Sequence, residues 1–169
     1  MSEPAPDTAV AVMPLASGFD RWDELLGLVR RSFAYMDGII DPPSSVHRLT
    51  PATLAEKAKR ETVLAAFVGG NLAGCVFLAD RGANGGDDIY VGKLAVEPGL
   101  QGKGTGRALM DAAERHARGL GRTALELQTR VELTGNQAVF ARLGFRETAR
   151  TTHEGFDRPT SVTMRKELL

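Results

Sequence analysis

The residues Gln101-Gly102-Lys103-Gly104-Thr105-Gly106-Arg107 are the part of this sequence best suited to chemistry. They follow an apolar run that reads as a strand, Ile89 to Val96, and open an amphipathic stretch, Arg107 to Leu120. The glycines let the backbone turn tightly and present successive N–H groups. A helix N-terminus adds unpaired donors and the positive end of its dipole. Together these make a cradle for a phosphate, with Lys103 and Arg107 supplying formal charge. A Walker A loop is excluded, because Gly102-Lys103 is followed by Gly104 and Glu97 stands where its first glycine belongs. A dinucleotide G-x-G-x-x-G fingerprint is excluded as well, since its third glycine would fall on Arg107 or Leu109.

No other set of reactive side chains stands out. His47, His116 and His153 lack metal-ligand spacing, so no metal is expected. His116 falls on the apolar side of its helix and reads as a packed core or boundary residue. There is no G-x-S-x-G serine. Cys75 lies in an apolar run and reads as a small hydrophobe. As the single cysteine, it excludes an intramolecular disulfide and a multi-cysteine zinc site.

The elements that must position the cradle are legible from periodicity. Met1 to Asp7 is polar and reads as a loose terminus. Thr8 to Leu15 is of strand length, confined to an edge by Pro14. Asp20 to Met36 repeats apolar residues at three- and four-residue steps, and Thr50-Pro51 starts a second helix that runs to Arg60. Thr62–Val68 and Leu72–Ala79 form a hairpin around Gly69-Gly70-Asn71. A glycine-rich loop leads to Ile89–Val96, where Gly92 signals a bulge or a close backbone approach. After the long helix, capped by Gly121, come a strand (Thr123–Thr129), a short helix (Gly135–Leu143) and two strands (Phe145–Thr152, Ser161–Lys166). The order is β-α-α-β-β-β-α-β-α-β-β. Hairpins beside a β-α-β unit require a mixed sheet, so the expectation is one α/β domain over residues 1–169.

Composition narrows the classes of function. The 169 residues hold 21 basic and 21 acidic side chains, a formal net charge of zero. That balance argues against a nucleic-acid or anionic-membrane partner, both of which reward basic excess. The charge is unevenly placed: residues 98–150 hold nine basic against five acidic groups, suited to a discrete anion. No apolar run approaches the ~20 residues of a membrane helix, and Glu3 and Asp7 occupy the place of a basic leader, so the cytoplasm is expected.

Leu94-Ala95-Val96 followed by Gln101, Gly104 and Gly106 fills the pattern Q-x-x-G-x-G after a Leu-Ala-Val strand end. With the turn Val96-Glu97-Pro98 and the later run Phe140-Ala141-Arg142-Leu143-Gly144-Phe145, it resembles the GNAT superfamily of N-acetyltransferases over nearly the whole chain. The resemblance implies a GNAT-like, mixed and mostly antiparallel sheet flanked by helices. It also implies acetyl-CoA as acyl donor and an amine as acceptor, with a homodimer left open. By the same resemblance, Gln101, Gly102, Lys103, Gly104, Thr105, Gly106 and Arg107 hold the CoA pyrophosphate. The backbone of Leu94, Ala95 and Val96 would pair with the pantetheine arm and polarise the thioester, and Asn136 and Phe140 would flank the cofactor.

Two positions depart from that pattern. Many members carry a tyrosine acid where this chain has Phe140, and histone-type members carry a glutamate base where it has Tyr90. Three readings follow: transfer by proximity with water relays, catalysis through another residue with Tyr90 as first candidate and Asp88, Glu126 and Glu132 behind it, or a CoA-binding sensor without catalysis. Residues 33–60 and 153–160 would shape the acceptor site. Asp37, Asp41, Glu154 and Asp157 there are expected either to draw a cationic amine or to be solvated loop acids.

Overall fold

A seven-stranded sheet runs in the order β1-β2-β3-β4-β5-β7-β6, and every neighbouring pair except β4–β5 is antiparallel. The strands are β1 (Val10–Pro14), β2 (Thr62–Val68), β3 (Asn71–Asp80), β4 (Asp88–Val96), β5 (Ala124–Arg130), β6 (Arg146–Thr151) and β7 (Ser161–Glu167). The helices are α1 (Trp22–Phe33), α2 (Pro51–Arg60), α3 (Thr105–Gly119) and α4 (Thr134–Arg142). The structure, a computed structural model, describes residues 9–169; the terminus read from Met1 to Asp7 and the Thr8 start of the first strand lie outside them. The element order is the one that periodicity gives, and the fold is the mixed, mostly antiparallel sheet expected.

Local chemistry explains the boundaries. The β2–β3 turn holds Gly69 and Gly70 at φ of 56° and 79°, the paired left-handed conformation of a two-residue hairpin turn. Thr50 caps α2 reciprocally: its Oγ1 accepts from the Thr53 N–H at 3.1 Å, and its own N–H donates to Thr53 Oγ1 at 2.8 Å. β2 and β3 are apolar on both faces because the sheet is buried between two helical layers. One core, with Leu25, Leu28, Val29, Leu54 and Phe77, lies under α1 and α2. The other, with Val76, Ile89, Leu109, Ala113, Leu125 and Val162, lies under α3. Close packing of α3 on β3 depends on Gly74, where a Cβ would come within 2.7 Å of the Ala95 carbonyl oxygen and 3.0 Å of Leu109.

Two details differ from the periodicity reading. α3 begins at Thr105, two residues early, because Gly104 at φ 87° serves as its N-cap. Leu120, placed on the apolar face, lies just past the end of α3 and is exposed. His116 is half-buried at the border of the core. Strand β6 is exposed along its whole length, and its charged residues blunt the sheet edge it forms. No helix among the described residues is long and apolar enough to cross a membrane.

Candidate active site

The site begins where the sheet comes apart. β4 and β5 pair only through Asp88–Ala124, Ile89–Leu125 and Tyr90–Glu126. Beyond Tyr90, β4 stays with β3 while β5 stays with β7, so their facing edges separate. A cleft of about 940 Å³ opens between them, lined by Tyr90, Gly92, Lys93, Leu94 and Val96 from β4 and by Leu127 to Arg130 from β5. α1, the α1–α2 connection and α4 complete its walls.

β4 carries a bulge inside this cleft. Between the pairs Cys75–Ala95 and Phe77–Gly92, Val76 faces two residues, Lys93 and Leu94. Lys93 takes φ 51° and is the one non-glycine residue with positive φ among those described. Gly92 therefore announced the bulge one residue away from where it sits. An extra residue re-aims the strand, and the Lys93 Nζ reaches across to Ser45 Oγ at 3.3 Å.

The glycine segment lies at the end of β4. The N–H groups of Gly102 through Arg107 donate to no acceptor among the described residues, and Gly104 offers α3 no side-chain cap. Six consecutive free donors, five of them on residues that are fully or partly open, are an arrangement suited to an anion. The protein's own packing does not demand glycine at position 106: an added Cβ would sit an ordinary 3.7 Å from Val96. Alanine would be the better helix former there by about 0.5–1 kcal/mol, so the missing side chain leaves space on the outer side for a close backbone approach. Gln101 lines the cleft, whereas Gly102 to Arg107 stand beyond its rim.

The model for the acetyltransferase (GNAT) family matches residues 22–145. This chain belongs to the GNAT family. Its fold also matches solved structures at low identity. The PaiA N-acetyltransferase of Thermoplasma acidophilum in complex with coenzyme A shares 17% identity over 94% of this chain and 99% of that one, at a TM-score of 0.75. The ribosomal-protein-S18-alanine N-acetyltransferase of Escherichia coli shares 18% over 95% and 94%, at 0.70. A GNAT acetyltransferase of Elizabethkingia anophelis with acetyl-CoA bound shares 17% over 94% and 98%, at 0.65. At these identities the likeness is one of fold. No curated protein sequence gives a match.

Within this GNAT framework, the β4 edge is not bare. The Val96 N–H donates to Ser32 Oγ at 3.2 Å, and the Val96 carbonyl accepts from Gln101 Nε2 at 3.4 Å. Sequence reasoning assigned the Val96 main chain to a ligand and missed Ser32, which lies 64 positions away. The two side chains satisfy the groups that an added strand would otherwise take up.

Tyr90 lines the cleft, its ring beneath the Arg81 guanidinium at 4.4 Å and against Gly92. Burial pushes its hydroxyl above the usual phenol range, and Arg81 opposes this only in part. A phenol so placed stays protonated at neutral pH. Phe140 faces the same cleft and packs edge-on against Phe145, with ring centroids 6.0 Å apart. Asn136, one turn earlier on α4, donates from Nδ2 to the Tyr35 hydroxyl at 2.8 Å. This bond joins α4 to the end of α1 across the cleft mouth, a link between residues 101 positions apart that no spacing rule reveals.

The remaining candidates have structural partners. Asp88 and Glu126 converge on Arg81 at 3.3 and 2.8 Å. Glu132 accepts from the Asp41 N–H at 2.9 Å through Oε2. Arg130 donates to the carbonyls of Pro42 and Pro43 at 2.8 and 3.3 Å, pinning that loop over the cleft. Cys75 is fully buried and its thiol is pushed up to about 12, consistent with a core residue. The four loop acids, for which the sequence leaves both a cationic-amine reading and a solvated-loop reading open, lie off the cleft wall. Asp37 pairs with His47 at 2.7 Å, Asp41 with Arg158 at 3.4 Å, and neither they nor Glu154 or Asp157 line the cleft. Among the described residues, no group of three or more His, Cys, Asp or Glu side chains is placed to hold a metal.

Proposed function

We propose that this chain is an N-acetyltransferase that moves an acetyl group from acetyl-CoA to the amine of a small molecule or peptide, by direct transfer in a ternary complex. Residues 1–169 act as one domain, working in the cytoplasm. The observation that carries the reading is the meeting of two features in one place: a run of six undonated N–H groups, and a β4 edge that has parted from β5.

In this reading the N–H groups of Gly102 to Arg107 hold the pyrophosphate, with Lys103 and Arg107 adding charge and Gln101, whose N–H is taken by the Pro98 carbonyl at 3.4 Å, leading into the turn. The main chain of Leu94, Ala95 and Val96 pairs with the pantetheine amides, displacing the Ser32 and Gln101 side chains. An N–H at Leu94 or Ala95, next to the bulge, polarises the thioester carbonyl and stabilises the oxyanion. Asn136 and Phe140 flank the arm. The neutral amine attacks the carbonyl carbon and passes its proton to water in the open cleft. The C–S bond breaks as the tetrahedral intermediate collapses, and the Tyr90 hydroxyl gives a proton to the departing thiolate.

Phe140, which has no hydroxyl, favours a second reading, a CoA-binding sensor. One experiment separates them. Calorimetry with CoA tests the cradle, and release of free thiol from acetyl-CoA across a broad amine panel tests transfer. Binding with amine-dependent release supports the enzyme. Binding without release from any amine supports the sensor, and no binding refutes both.

A further inference from the structure

Four cationic side chains line the cleft, Arg48, Lys57, Lys93 and Arg130, against a single carboxylate, Glu61. Glu61 is already committed, since Lys57 Nζ lies 2.7 Å from its carboxylate. Arg130 is committed to the carbonyls of Pro42 and Pro43. That leaves Arg48 and Lys93. Among the described residues neither meets a carboxylate at ion-pair distance; the partner of Lys93 is the neutral Ser45 hydroxyl at 3.3 Å. His47, next to Arg48 in sequence, is turned to Asp37.

Arg48 is exposed at the cleft edge, but Lys93 is partly buried, and an uncompensated cation so placed carries a desolvation cost that an anion relieves. Lys93 registers that cost. Its pKa lies below the usual lysine range through burial first, then repulsion from Lys57 and Arg48, with Glu61 opposing. The bulge adds a second sign of purpose, because a non-glycine residue at φ 51° is kept where it aims the ammonium at the α1–α2 connection. CoA does not explain this charge. Its phosphates belong at the cradle, and Lys93 stands three residues before the end of β4, roughly 10 Å of strand away.

We propose that Arg48 and Lys93 form a seat for an anionic group on the acceptor, so that the amine substrate is a small molecule that also bears a carboxylate or a phosphate. This rests on the acetyltransferase reading for the word acceptor, but the seat itself is testable without turnover. Polyamines and aminoglycosides, which bring more positive charge, are disfavoured by the same wall.

The probes are β-alanine, phosphoethanolamine, ethanolamine and 1,3-diaminopropane, amines of similar size that differ in their second group. CoA-loaded protein is titrated with each by calorimetry, and the same four are tried for thiol release from acetyl-CoA. At least one anionic probe should bind about tenfold tighter than ethanolamine, and diaminopropane should bind weakest. The preference should vanish in Arg48→Gln and Lys93→Gln, and Arg48→Lys should retain most of it. β-Alanine against phosphoethanolamine tells carboxylate from phosphate. The proposal is overturned if neither anionic probe binds, if ethanolamine or diaminopropane binds as well, or if the preference survives both glutamine variants. Thiol release with ethanolamine but with neither anionic probe overturns the seat and leaves acetyl transfer standing. An anionic preference in binding with no release from any amine leaves the seat standing and removes the transfer reading.

Discussion

From Gly102 to Arg107 the protein offers a ligand its main chain; from Ser45 to Lys93 it offers side chains. The first end of the cleft is a turn and a helix start, built from N–H groups whose direction is set by backbone angles at Gly102 and Gly104. The second is assembled from Arg48 on the α1–α2 connection, Lys57 and Glu61 at the end of α2, and Lys93 on the bulge of β4. A main-chain site is local in sequence and indifferent to most side chains. A side-chain site is scattered and changes with each residue. The contrast teaches why a main-chain site can be common to a family while a side-chain site beside it is private to one chain.

The sharpest way to break the contrast is to put a side chain into the main-chain end. Gly104→Asp adds a Cβ that meets nothing in the protein, and its φ of 87° brings some backbone strain that Asp tolerates better than most residues. Its carboxylate would face the pyrophosphate. CoA affinity by calorimetry should fall at least 100-fold, about 2.7 kcal/mol, while the protein stays folded with a modestly lower melting temperature. Unchanged affinity would move the cradle elsewhere.

Next in size is Tyr90→Phe, which removes a hydroxyl from the middle of the cleft. Turnover should drop at least about tenfold, equal to about 1.4 kcal/mol of barrier, with CoA affinity unaltered. Equal turnover would assign the proton transfer to water.

Ser32→Ala tests the seam between the ends. It strips the acceptor from the Val96 N–H, so the free protein should lose about 1 kcal/mol, read as a melting temperature lower by roughly 2–4 °C. Saturating CoA should restore most of that loss if pantetheine takes up the same N–H. An equal loss with and without CoA would show that the ligand leaves Val96 alone.

The smallest effect belongs to the charged wall. Folding disfavours the ammonium of Lys93, so its native pKa lies below its unfolded value. Below the native pKa both states are charged and the cost is complete. As pH rises toward the unfolded value near about 10.4, the unfolded state alone retains the proton and the cost fades. Lys93→Gln should therefore melt slightly higher than the parent at neutral pH, and the gap should close in alkaline buffer. A gap that widens with pH would reverse the sign and remove the desolvation argument.

Much of the fold was legible because short-range physics writes it. The Gly69-Gly70 turn, the Thr50 cap and the apolar spacing of α1 and α3 each depend on residues within a few positions of one another. The start of α3 was misjudged by two residues because a glycine in left-handed geometry can cap a helix without any side-chain signal. At the site, the cradle residues could be named from spacing. The bulge was flagged by Gly92, yet the residue it re-aims, Lys93, was not. The partners of Asp37 and Asp41, His47 and Arg158, are not legible in the sequence because they are chosen by how loops meet in space.

The sequence by itself determined the elements, their order and the cradle, since backbone conformation and apolar period are properties of neighbouring residues. Only the tertiary structure decided that β4 leaves β5 after Tyr90, that Ser32 and Gln101 close on Val96, and that two cations face the cleft without counter-charge. Those outcomes depend on packing between segments dozens of residues apart, where charge and hydrogen-bond partners are settled by the whole fold rather than by any local pattern.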